Sequence, residues 1–160
     1  MAKEDKTNVM RLLENAGIAL IERKYDPSIT DGMLVAKTVG TDPSATFKTL
    51  VTVSDRGKNY VFVIPVCEEL DLKLCAKAVS EKSISMLPQK FLLPLTGYVH
   101  GGCSPVGMKK KLQTLFHVSC LDFDQITLSA GKVGRQITIN PKDLLDYLGS
   151  TTAFLVRIKG

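Results

Sequence analysis

Residues 47–66 read FKTLVTVSDRGKNYVFVIPV, and this stretch decides the fold class. Residues 47–54 and 59–66 are rich in β-branched and aromatic side chains, which suit a pleated, half-buried surface. Between them, Asp55-Arg56-Gly57-Lys58 carries the turn chemistry of a hairpin. The second run is apolar on both faces at its centre, as expected of a strand covered from both sides. Strand alternation places Lys48 on the face opposite Phe47. If Phe47 faces the core, Lys48 faces solvent or a cleft.

Working towards the N-terminus, residues 8–16 predict a short amphipathic helix stopped by Gly17. Residues 18–25 predict a strand that ends at an Asp26-Pro27 turn. Residues 28–40 predict a second helix, capped by Thr30 or Asp31 and ended by Gly40. Asp42-Pro43 opens a tight turn or a single helical turn. Working towards the C-terminus, residues 70–79 predict a helix capped by Asp71, with Leu72, Cys75, Ala76 and Val79 turned to the sheet. Residues 83–87 form a short strand, and a helix runs from Pro88 to Thr96-Gly97. Strands follow at 112–117, 125–129 and 135–139, with 130–134 as a turn. Asn140-Pro141 caps a last helix ended by Gly149, and 151–158 is the closing strand. The sum is one α+β domain over residues 1–160, a mixed, largely antiparallel sheet with packed helices.

Composition bounds the function. A chain of 160 residues can bury a real core, and 44% hydrophobic with 23% charged residues is ordinary for a globular protein. No apolar run approaches a membrane span, and MAKEDKTN is not a signal peptide, so a cytoplasmic location and no membrane partner are expected. The four cysteines make no CxxC pair and no zinc-like spacing with His100 or His117, so no metal is expected. A thiol redox protein is poorly supported for the same reason. A net charge of +5 permits contact with a polyanion, and 6% aromatics argues against a broad base-stacking platform. The basic residues of the C-terminal half include Lys132, Arg135, Lys142, Arg157 and Lys159.

The chemistry concentrates at residues 96–107, TGYVHGGCSPVG, followed by Lys109, Lys110 and Lys111. A loop this rich in glycine can turn sharply, approach a ligand closely and aim N–H groups at an anion or oxyanion. It could equally be a surface loop that needs glycine for its turns. No GxSxG elbow, HExxH or Walker loop is present. His117 reads as a structural histidine. Cys103 with His100 could pair as nucleophile and base, although an i, i+3 pair in a loop need not face each other.

At FKTLVT, TGYVHGGCSPVGMKK and LSAGKVG, the chain resembles the YbaK/EbsC family of aminoacyl-tRNA deacylases, relatives of the editing domain of bacterial prolyl-tRNA synthetase. The order and spacing of the three motifs are the specific part, and the match covers nearly the whole chain. The resemblance implies a freestanding enzyme that clears mischarged Cys-tRNA(Pro) without a cofactor, with prolyl-tRNA synthetase as a possible docking partner. It implies Lys48 as the residue whose loss abolishes activity. It also implies roles for Tyr25, for Gly101 and Gly102, and for Ser129; His100, in the same loop, is a further expected substrate contact. Some members carry an aspartate where this chain has Gln136, so the role of that carboxylate does not transfer.

The chemistry such a family needs matches the inventory. An aminoacyl ester is already reactive, and a cysteinyl substrate brings its own thiol. The expectation is that Gly101 and Gly102 hold the carbonyl while that thiol attacks it. Lys48 then fixes the terminal adenosine or steadies the developing charge, and Tyr25, Ser129 and Gln136 contact the substrate. Lys109, Lys110 and Lys111 meet tRNA phosphates or are simply solvated. One alternative keeps the fold and removes alanine from tRNA(Pro), or other amino acids, using water. Another is a module that binds aminoacyl-tRNA or a nucleotide without catalysis.

Overall fold

The computed structural model describes residues 5–158. Local chemistry starts and stops most elements. Thr7 accepts the Met10 N–H and opens α1 (Asn8–Asn15), which buries Val9, Met10 and Leu13. Asp31, rather than Thr30, caps α2 (Gly32–Val39), and Gly40 ends it in the left-handed conformation. Asp42 caps a single 3-10 turn, Pro43–Ala45. Asp71 accepts two N–H groups at the start of α3 (Leu72–Ala78). Asn140 does the same for α5 (Pro141–Leu148). Pro88 opens a 3-10 turn (Gln89–Phe91) that passes into the short α4 (Leu92–Thr96).

The strands are β1 (Leu20–Lys24), β2 (Phe47–Ser54), β3 (Asn59–Pro65), β4 (Ile84–Met86), β5 (Gln113–His117), β6 (Ile126–Lys132), β7 (Arg135–Ile139) and β8 (Thr151–Ala153). They form two sheets instead of one, in the orders β1-β7-β6 and β4-β2-β3-β5-β8. Antiparallel pairing dominates, and β3-β5 and β5-β8 are the parallel pairs. A lone parallel bridge, Thr46 to Thr127, is the backbone pairing between the sheets among the described residues.

Several boundaries differ from the sequence reading. β6 runs on to Lys132 through an irregularity after Ser129, so the expected turn over 130–134 shrinks to Val133-Gly134. β8 stops at Ala153, and residues beyond it continue through a single bridge, Val156 to Leu70. A 3-10 segment, Val118–Asp122, follows β5 where no element was expected.

β3 is buried on both faces because it separates two cores. Val61 and Val63 join Phe47, Val51, Leu128 and Ile137 in the larger core between the sheets and α1. Tyr60, Phe62 and Ile64 face α3 in the smaller one. Buried Glu81, just after α3, anchors the hairpin from below. It accepts from Arg56 at 2.9 and 3.1 Å and from the Tyr60 hydroxyl. The Arg56 guanidinium and the Tyr60 hydroxyl pull its carboxyl from an ordinary 4.5 to about 2.

Candidate functional site

The Thr46–Thr127 bridge sets the site. β4 pairs with the edge of β2 at residues 52–54, and β6 pairs with the chain at Thr46, just before β2 begins. Residues 47–51 therefore border a gap between the sheets. Val51 C=O accepts the Leu87 N–H on this edge at 3.1 Å. Thr49, two residues back, turns its own backbone polar groups the same way. The gap is a cavity of about 550 Å³.

Several expected residues meet there. Lys48 lies on its wall, together with Tyr25, His100, Gly101, Ser129 and Gln136. Register explains the grouping. Lys48 and Ser129 each stand two residues beyond the bridge on parallel strands, and Gln136 pairs directly with Ser129. These three side chains share one face. Tyr25 is held beside them by its N–H, which donates to Gly134 C=O at 2.9 Å. The Ser129 hydroxyl oxygen accepts the Gly131 N–H at 3.0 Å, which leaves its proton free to donate.

The glycine loop forms the opposite wall. Its ends are tied by two bonds: the Tyr98 hydroxyl donates to Val106 C=O, and Lys109 N–H donates to Thr96 C=O at 2.9 Å. Burial pushes the Tyr98 phenol up to about 12, so it remains a donor. Gly101 has φ +87°, lines the cavity, and its N–H has no partner among the described residues. Gly102 corrects the sequence expectation. Its N–H donates to Val99 C=O at 3.0 Å, and it is not on the cavity wall. A Cβ on Gly102 would lie 2.9 Å from Val133 N, so this glycine lets the loop backbone pack on the β6–β7 turn. It positions Gly101 and donates nothing to a ligand.

Cys103 also lines the cavity, but burial pushes its thiol up to about 12. A thiol that stays protonated is no nucleophile, and the Cys103–His100 pairing falls. His117 is buried, accepts the Leu155 N–H on Nδ1 at 3.1 Å and packs edge-on to Phe154. Burial pushes its pKa down, which keeps the accepting lone pair in place. It is the structural histidine expected.

Lys109, Lys110 and Lys111 are exposed and lie off the cavity wall. Lys111 borders a separate depression of about 240 Å³ with Gln113 and Ser150. Sequence reasoning missed Thr49, the α2 entrance at Ile29 and Gly32, and the apolar rim of Met86, Leu87 and Leu92. Only the packing of distant segments assembles them. No group of three or more candidate metal ligands exists among the described residues.

The scaffold is a two-sheet α+β fold whose main cleft brings together a strand lysine, a free loop amide and a thiol that stays protonated. Residues 27–147 match the aminoacyl-tRNA editing domain family, and the chain belongs to it. It is 40% identical over 146 residues to an Enterococcus faecalis (strain ATCC 700802 / V583) protein provisionally named Cys-tRNA(Pro)/Cys-tRNA(Cys) deacylase EbsC. That alignment covers 89% of this chain and 88% of the relative. Among solved structures, a protein described provisionally as a trans-editing enzyme for prolyl-tRNA synthetase superposes with a TM-score of 0.84 at 22% identity, covering 98% and 100% of the two chains. A protein described only as hypothetical gives 0.85 at 19% identity, covering 93% and 99%. These two likenesses carry the fold.

Proposed function

We propose that this chain is a trans-acting aminoacyl-tRNA deacylase that clears mischarged Cys-tRNA(Pro) in the cytoplasm. The observation that carries it is the convergence of Lys48, Gly101, Ser129 and Gln136 on a cavity that offers no thiolate nucleophile, since Cys103, its one lining thiol, stays protonated. The substrate then supplies its own. The cysteinyl thiol attacks the ester carbonyl, an S–C bond forms, the bond from carbon to ribose oxygen breaks, and the thiol proton passes to that oxygen. The four-membered thioester released is opened by water. Gly101 N–H takes the developing oxyanion, Lys48 steadies the charge or the terminal ribose, and Tyr25, His100 and Ser129 border the acyl group. One oxyanion donor is worth about 2.7–4 kcal/mol, and intramolecular attack roughly 7–11 kcal/mol. Lys109, Lys110 and Lys111, at the exit of the loop, take tRNA phosphates. Prolyl-tRNA synthetase is the natural source of the substrate and a candidate docking partner.

The test is single-turnover deacylation of one tRNA(Pro) charged in turn with cysteine, serine, alanine and proline. Cysteinyl-tRNA should clear at least about 10²-fold faster than seryl-tRNA, because only the thiol is a strong internal nucleophile. Equal rates would exclude the thiol mechanism in favour of attack by water. No hydrolysis of any charged tRNA would leave a binding module.

A further inference from the structure

Two buried polar atoms of residues that line the cavity have no hydrogen-bond partner among the described residues. Gln136 is 8% exposed, and its Oε1 has no hydrogen-bond partner among the described residues. The Thr49 hydroxyl is in the same state. Both residues line the cavity. A buried acceptor left unpaired is costly, so these atoms mark where a ligand's donors belong.

The acyl group itself carries few donors. Its carbonyl and ester oxygens only accept. Its α-amino group donates, and it sits one carbon from the carbonyl that Gly101 would hold. The charges around Gln136 then decide the form of that amine. Lys48 shares its face, Arg23 lies across from it on β1 with Nε donating to Thr138 Oγ1, and Tyr25 and His100 complete the wall. The single carboxylate lining the cavity is Asp31, which is exposed and spends Oδ1 on the Met33 N–H. An ammonium placed here would lose water beside two cations and gain no buried counter-charge. A neutral amine keeps an N–H donor for Gln136 without that cost.

We infer that Gln136 is a specificity-determining residue that accepts a hydrogen bond from the uncharged α-amine of the bound aminoacyl ester. This rests on the deacylase reading of the same pocket. An α-amino group ordinarily titrates near about 7.7–8.0. At lower pH the ligand must therefore give up a proton on binding.

Calorimetry measures that proton directly. The probe is 3′-deoxy-3′-(alanylamino)adenosine, which keeps the amine, cannot be cleaved as an ester and has no thiol to titrate. Its lactyl counterpart carries a hydroxyl in place of the amine. Titrations at pH 6.5 in two buffers of different ionisation heat should show about one proton released per alanyl ligand and none per lactyl ligand. Gln136→Glu should reduce that release towards zero and tighten the alanyl ligand at least about tenfold at pH 6.5, because a carboxylate favours the ammonium. Binding of the alanyl ligand without proton release by the wild type overturns the inference alone. Unchanged release by a folded Gln136→Glu variant does the same. Failure of both ligands to bind, together with no deacylation of any charged tRNA, overturns the reading of the pocket on which it stands.

Discussion

Lys48 and Ser129 occupy matching positions on two parallel strands, each two residues past the Thr46–Thr127 bridge, with their side chains on one face of the cleft. The residues are 81 apart in sequence, and one backbone contact brings them together. Everything proposed for the site depends on that contact, because it puts Lys48 beside the hairpin hydroxyl and the Gln136 amide.

Lys48→Ala should cut deacylation by about 10²–10³-fold, the cost of removing one charge-stabilising group. Lys48 is half-buried at the cleft, so unfolding in urea should move by no more than about 0.5 kcal/mol. Single-turnover rates and a denaturation curve on the same sample separate the two effects. Wild-type turnover by a folded variant removes Lys48 from the site.

The two loop glycines should fail differently. In Gly102→Ala the new Cβ meets Val133 N at 2.9 Å, backbone against backbone, and stability should fall by about 1–3 kcal/mol. In Gly101→Ala the nearest atom is Val133 Cγ2 at 3.7 Å, so sterics are mild and the left-handed φ costs about 1–2 kcal/mol. Activity in the second variant should drop more than its stability explains. Thermal midpoints set beside kcat decide this.

Cys103→Ala should stay active within a few-fold, because a thiol held near 12 takes no covalent part. Iodoacetamide should label Cys103 slowly at pH 7 for the same reason. Rapid labelling coupled to loss of turnover would restore it as a nucleophile.

Acid should loosen the hairpin through Glu81. Its carboxyl is held at about 2 in the folded chain and titrates near 4.5 when exposed, so the unfolded chain binds the proton first. The stabilisation is complete above about 4.5 and is lost as pH falls towards about 2. In Glu81→Gln the protein should be less stable at pH 7, and its stability should fall less steeply over that window. Urea midpoints from pH 7 to pH 2.5 measure both.

Replacing Lys109, Lys110 and Lys111 by glutamine should weaken tRNA binding and flatten its dependence on salt, each lost phosphate contact lowering the slope by about 0.7–0.9. The acylated adenosine end should be cleaved as before, since none of the three lines the cavity. An unchanged salt slope assigns them to the solvated surface.

The local elements were legible because their causes are local. Asp71, Asn140, Gly40 and Gly149 act within one turn of the helices they start or stop. The apolar run at 60–64 could only be a strand covered twice, and it is. The split of the sheet was not legible, because which edge pairs with which depends on β4 ending after three residues and on β6 pairing with the chain just before β2 through a single bridge at Thr46. Gly102 shows the same limit. Its sequence context is that of a donor loop, yet its N–H is spent on Val99 and its missing side chain serves packing.

By itself the sequence determined the α+β class, the family and the residue types the chemistry requires. These follow from periodicity, capping and motif order, which act over short stretches of chain. Tertiary structure alone decided that Lys48, Ser129 and Gln136 share a face, that Thr49 joins them at the cavity, and that one loop glycine faces the ligand while its neighbour does not. The reason is physical: strand register and the direction of a single N–H are fixed by contacts between segments far apart in the chain, which no local pattern encodes.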